Sequence, residues 1–110
     1  MARESEIRFN YDKALSQVGQ LRAAAEHIRN VVMSEFSGYV DQTNTVWKGQ
    51  SADLFITKCR KLLDELRIAA DNYDKLAQLI SANAKRTYDS EMTALRIAQE
   101  RTFNGGGRMR

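Results

Sequence analysis

Apolar residues recur at every seventh position along both halves of the chain, and this period constrains the fold more than any other feature. In the first half they occupy two columns, residues 7, 14, 21 and 28 and residues 11, 18, 25, 32 and 39. Residues seven apart lie on one face of an α-helix, so the two columns form a single apolar stripe. The chain also lacks Pro, which leaves few positions where a helix must stop. The sequence therefore predicts an all-α protein whose first helix spans about residues 4–42.

A short polar segment separates this helix from a second one. Residues 43–45, Thr-Asn-Thr, favour turns, and Asn44 is a residue type that accepts the left-handed conformation found at many helix ends. The only Trp of the chain, Trp47, follows, and Gly49 lets the backbone turn without a Cβ clash. We therefore predict a bend over about residues 43–50, in which the Trp47 ring packs over the adjoining helix ends.

The second half carries three apolar columns instead of two. Two of them match the first helix in number and spacing, so the halves can pack antiparallel as a hairpin; they are residues 55, 62, 69 and 76 and residues 59, 66, 73 and 80. A third column includes Ile56, Leu63, Ala70 and Ala77, and widens the apolar face beyond what one partner helix covers. We predict that this third column is a dimer interface, through which two hairpins form a four-helix bundle. The alternative is that its small, Ala-rich positions tolerate solvent.

The second helix is predicted over about residues 51–102, within a single helical hairpin domain of residues 1–103. Beyond Ala84 it is expected to reach past the first helix as a mobile arm. Residues 104–110 are rich in Gly and polar groups, and are predicted to be a disordered tail.

The residue types needed for catalysis or metal binding are scarce. The single His, His27, falls on the polar side of its helix, and the single Cys, Cys59, falls on an apolar stripe where burial is expected. No second His or Cys completes a zinc site, and Asp64 and Glu65 lie at exposed helix positions without a pocket. We predict that the chain is not an enzyme and has no catalytic residue, metal site or cofactor.

Charge and hydropathy narrow the range of partners. The net charge is +3, and the basic residues are interleaved with acidic ones instead of forming a run. A small basic nucleic-acid-binding protein therefore stays only a second alternative, and our main prediction is that the chain has no nucleic-acid partner. No segment approaches the ~20 apolar residues of a membrane span, and the first residues lack the apolar core of a secretory signal peptide.

The chain resembles the WXG100 (ESAT-6-like) family of small type VII secretion proteins. The resemblance rests on a length of about 100 residues, two amphipathic helices and the central Trp47-Lys48-Gly49 bend, and it covers about residues 7–98. It implies export without a signal peptide by the type VII (ESX) route, with the protein cytoplasmic before export. It also implies a non-enzymatic helical dimer, either a homodimer or a heterodimer with a related hairpin.

The same resemblance implies an export signal of the form Tyr-x-x-x-Asp/Glu near the end of the second helix. Tyr88 occupies the Tyr position, whereas the acidic residue, Glu91, comes one position early. Residues three apart still share a helix face, so Tyr88 and Glu91 can form a variant of this signal. The resemblance then implies that Trp47, Gly49, Tyr88 and Glu91 are recognised by the secretion ATPase. The alternative within this family is a cytoplasmic targeting chaperone that packs against a larger effector or toxin.

Overall fold

The protein is all-helical over the residues that its computed structural model describes, which are residues 3–108 for the backbone and 3–102 for the side chains. The elements are α1 (Glu4–His27), a π-helical segment (Ile28–Val32), α2 (Met33–Val46) and α3 (Gln50–Arg108). No strand occurs in this described part of the chain. The predicted all-α class is confirmed.

The chain divides into two compact units, Gly19–Ala77 and Met1–Val18 with Gln78–Arg110. The first, which we call the bend unit, contains the bend between α2 and α3. We call α1, the π-helical segment and α2 together the first arm of the hairpin. Trp47, just after this arm, contacts Phe55, and Arg29 within it contacts Asp71 and Asp74. Later residues of one arm thus meet earlier residues of the other. The bend unit is an antiparallel helical hairpin, as predicted.

The bend is shorter than the sequence indicated, because α2 continues through residues 43–45 and ends at Val46. The hydroxyl of Thr43 donates to the backbone carbonyl of Tyr39 at 2.9 Å, and the hydroxyl of Thr45 donates to the backbone carbonyl of Gln42 at 2.6 Å. Hydrogen bonds of this kind satisfy Thr hydroxyls inside a helix. The polar residues that predicted a turn are therefore accommodated in the last helical turn.

Gly49 provides the change of direction between α2 and α3. Its φ is +116°. Among the described residues, every residue other than Gly has a negative φ. The left-handed conformation expected of Asn44 thus occurs at Gly49 instead. The Gly49 carbonyl then accepts the Asp53 N–H at 3.0 Å, which begins α3 with an acidic residue in its first turn.

Two Gly→Ala substitutions are expected to change stability in opposite directions. Gly49→Ala should destabilise the protein by about 1–2 kcal/mol, because a residue with a Cβ must then adopt a positive φ. Gly19→Ala, in the interior of α1, should stabilise it by about 0.5–1 kcal/mol. An added Cβ has open space at both positions, so packing does not confound the comparison. Urea unfolding of the two variants checks this, and stabilisation by both would show that Gly49 does not need its positive φ.

The π-helical segment shifts the buried face of the first arm by one residue. Up to Ala25 the buried residues follow the predicted columns, but beyond the segment Val40 is 5% exposed and Tyr39 is 65% exposed. The prediction that Tyr39 lies in the seam is wrong. The cause is visible at Glu35, which occupies the next position of the column that includes Ile28. A wider π-helical turn places Phe36 on the buried face in the position that Glu35 would otherwise take, and Phe36 packs against the core cluster of Val40, Ile56 and Cys59.

The buried face of α3 also differs from the predicted one. Ile56, Ala70 and Ala77, from the predicted dimer interface, are 7%, 0% and 0% exposed within a single chain, and Leu63 is half-buried. The predicted dimer interface at Ile56, Leu63, Ala70 and Ala77 is therefore wrong, because these residues form the interior seam of the hairpin. Small residues suit this position, since they let helix backbones approach closely.

The C-terminal part of α3 packs against α1 at a residue where the sequence predicted no contact. Tyr88, placed by the sequence on an unsupported arm, stacks against Tyr11 of α1. The helix ends at Arg108, later than the predicted boundary near residue 102. Residues 109 and 110 of the predicted tail lie outside the described residues.

Candidate interaction surfaces

An exposed apolar column runs along α3 in the bend unit. We call it the outer column, and it consists of Phe55, Leu62, Ala69 and Leu76. The three large side chains are 46%, 49% and 46% exposed, and Ala69 is half-buried. The sequence assigned this column to the hairpin seam, which is wrong for its three large residues. At a rise of ~1.5 Å per residue, the column is about 32 Å long.

The bend extends this apolar surface at one end of the outer column. The Trp47 ring lies 5.6 Å from the Phe55 ring, centroid to centroid, with the two planes tilted by 47°. Trp47 is nevertheless 43% exposed, and its neighbour Val46 is 84% exposed. The Trp47 ring therefore packs on the start of α3, as predicted, while it keeps a face available to a partner.

Tyr88 and Glu91 lie together in the unit formed by the two ends of the chain. Both line a cavity of about 310 Å³ between α1 and α3. The Tyr11 and Tyr88 ring centroids are 4.7 Å apart, with an interplanar angle of 33°. The structure thus brings Tyr88 and Glu91 to one surface, whereas Trp47 and Gly49 belong to the bend unit.

Arg29 forms a polar link across the hairpin that the sequence did not reveal. Its guanidinium contacts the Asp71 and Asp74 carboxylates, each at 2.7 Å. The hydrogen bond to Asp71, followed by that to Asp74, raises the pKa of Arg29 above its ordinary value. The sequence placed Arg29 on the solvated side, and the π-helical segment that contains it was not predicted. The presence of Glu35 in an otherwise apolar column was the sequence feature that could have indicated the π-helical segment.

The residues considered for chemistry are dispersed. Cys59 is a free, buried thiol at 6% exposure, which confirms its predicted burial. His27 is exposed at the end of α1, and Asp64 pairs with Arg67 on the surface of α3. Among the described side chains, no group of three or more His, Cys, Asp or Glu residues is arranged to hold a metal ion.

Across the part of the chain that the structure describes, none of the helices has a stretch both apolar and long enough to span a membrane. The chain matches no family model, no curated protein and no solved structure.

Proposed function

We propose that this chain is a non-enzymatic helical protein that dimerises through the outer column and is exported by a type VII secretion system. The observation that carries the proposal is the outer column itself, in which three large apolar side chains remain nearly half exposed. Contiguous apolar surface on a small protein marks a site of association. A second hairpin packed on it would complete a four-helix bundle.

The outer column is complementary to itself in an antiparallel arrangement. With a two-fold axis midway between Leu62 and Ala69, each Phe55 faces a Leu76 and each Leu62 faces an Ala69 of the second copy. At the centre, the large Leu62 opposite the small Ala69 can interdigitate without leaving a cavity, and the larger Phe55 and Leu76 meet at the two ends. An interface of this kind uses the same surface patch on both chains, as closed dimers do. A related hairpin with the same column would fit equally as a heterodimer partner.

Recognition by the secretion ATPase is proposed for two solvent-accessible features. The first is the bend, where Trp47 stacks on Phe55 but keeps a free face. The second is the helix surface that carries Tyr88 and Glu91. These residues support the proposal through the resemblance of Trp47-Lys48-Gly49 and of the Tyr88 region to type VII substrates. The protein would be cytoplasmic before export and secreted afterwards.

Leu62→Asp is expected to weaken dimerisation at least tenfold while the hairpin stays helical. The substitution places a carboxylate in the centre of the interface, and loss of a central apolar contact costs about 2 kcal/mol or more of association. Leu62 is already 49% exposed in the single chain, so folding should change little. Light scattering over a concentration series measures the association, and circular dichroism measures the helicity.

Ile68→Asp is the matched control. Ile68 is 58% exposed in the same unit of α3, but it lies outside the outer column. Ile68→Asp should therefore leave the dimer intact. A monomeric wild-type protein, or equal loss of association in both variants, would reject the outer column as the interface. Mass gained only with a co-expressed larger protein would instead support the targeting-chaperone alternative.

A further inference from the structure

The cavity beside Tyr88 combines aromatic, apolar and acidic groups in one place. The Tyr11 and Tyr88 rings stack at one side, and Ile7 and Ile80 contribute aliphatic surface. Glu91 is the one charged residue among the described residues that line the cavity. The site is therefore apolar along most of its wall, with a single negative charge.

The ion pairs among the described side chains leave the charge of Glu91 without a partner. Arg8 on α1 does not pair with Glu91, because its guanidinium contacts the Glu4 carboxylate at 2.8 Å. The Glu4 hydrogen bond, followed by the charge interaction with Tyr88, raises the pKa of Arg8 above its ordinary value. A cation that enters the cavity would thus meet an unpaired carboxylate.

The size of the cavity limits what it can hold. At about 310 Å³ it is at the lower end of the range of ligand sites, ~300–1,000 Å³. This volume suits one long side chain and not a whole helix. An arginine side chain fits the composition, because its aliphatic stem packs on apolar surface, its planar guanidinium stacks on aromatic rings and its N–H groups pair with a carboxylate.

The geometry points to a binding site for an arginine side chain of a partner protein, formed by Tyr11, Tyr88 and Glu91. The inference rests on the proposed role of Tyr88 and Glu91 in recognition, and it names the chemical group that they recognise. The Tyr rings provide a cation–π surface, and Glu91 provides the charge that orients the guanidinium.

A nuclear magnetic resonance titration tests this site with two matched small probes, and a lysine probe serves as a further control. The probes are N-acetyl-arginine methylamide and its citrulline counterpart, which has nearly the same shape but no charge. The ring resonances of Tyr11 and Tyr88 should reach half-saturation at a concentration about threefold or more lower for the arginine probe. This preference should shrink as salt is added, since the ion pair is partly exposed. Equal responses to the two probes, or a lysine probe that binds as tightly as arginine, would overturn the inference.

Glu91→Gln and Glu100→Gln form a matched pair for the same titration. Both remove one negative charge from α3, but Glu100 is exposed and lies outside the cavity. Glu91→Gln should abolish the preference for arginine over citrulline, whereas Glu100→Gln should preserve it. Tyr88→Phe should preserve it as well, because the aromatic ring remains. An unchanged preference in Glu91→Gln would contradict the proposed charge pairing.

The titration and a secretion assay together separate failure of the arginine site from failure of the proposed function. Loss of export in Tyr88→Ala without any arginine preference in the wild-type protein would overturn the arginine site and leave the proposed function standing. Arginine preference with normal export of Tyr88→Ala would establish the site and reject its role in secretion.

Discussion

Ala70→Asp is expected to unfold the bend unit, the largest effect on stability that we predict. Ala70 is 0% exposed in the seam of the hairpin, so the new carboxylate would be buried without a partner. A buried, unpaired charge costs several kcal/mol, and the total stability of a small domain is only about 5–15 kcal/mol. Thermal and urea unfolding, followed by circular dichroism, should show a large drop in midpoint or no cooperative transition.

Ala82→Asp is the control for this substitution. Ala82 lies on the same helix and is exposed, so it undergoes the same change in helix propensity without burial of a charge. It should lower stability by less than about 1 kcal/mol. If both variants unfold alike, the loss arises from the helix itself and not from the seam. If neither unfolds, Ala70 does not face the first arm in solution.

Trp47→Ala and Tyr88→Ala are expected to reduce export strongly, the largest effect on function that we predict. Exposed aromatic residues that anchor an interface cost about 2 kcal/mol or more when truncated, which corresponds to a loss of recognition on the order of 30-fold. Trp47 is 43% exposed and Tyr88 lines an open cavity, so both side chains are accessible to a partner. The amounts of protein in the medium and in the cells of a host with a type VII system measure the export.

Tyr39→Ala is the matched control for the secretion assay. Tyr39 is 65% exposed on α2, and it belongs neither to the outer column nor to the Tyr88 cavity. Its export should equal that of the wild-type protein, and all three variants should keep their helical circular dichroism. Normal export of both Trp47→Ala and Tyr88→Ala would rule out these residues as the recognised surface. Reduced export of Tyr39→Ala would indicate a general loss of stability instead.

The bend was predictable because its requirements are local. Gly49 adopts the positive φ that a sharp reversal needs, and Trp47 packs on the first turns of α3. The exact helix ends were not predictable, since Thr43 and Thr45 satisfy their hydroxyls on helix carbonyls where turn propensity favoured a break. The pairing of Tyr88 with Tyr11 likewise depends on the register of α1 against α3, which no local pattern specifies.

The sequence by itself determined two long helices and the bend between them, because a seven-residue period, the lack of Pro and one well-placed Gly each act within a few turns of chain. Only the tertiary structure decided which columns face inward. The columns of α3 are similarly apolar, but small side chains at Ala70 and Ala77 allow close approach of the first arm, whereas Phe55 and Leu62 remain outside. The π-helical segment completes that choice, since it rotates Phe36 and Val40 into the seam where a regular helix would have placed Glu35.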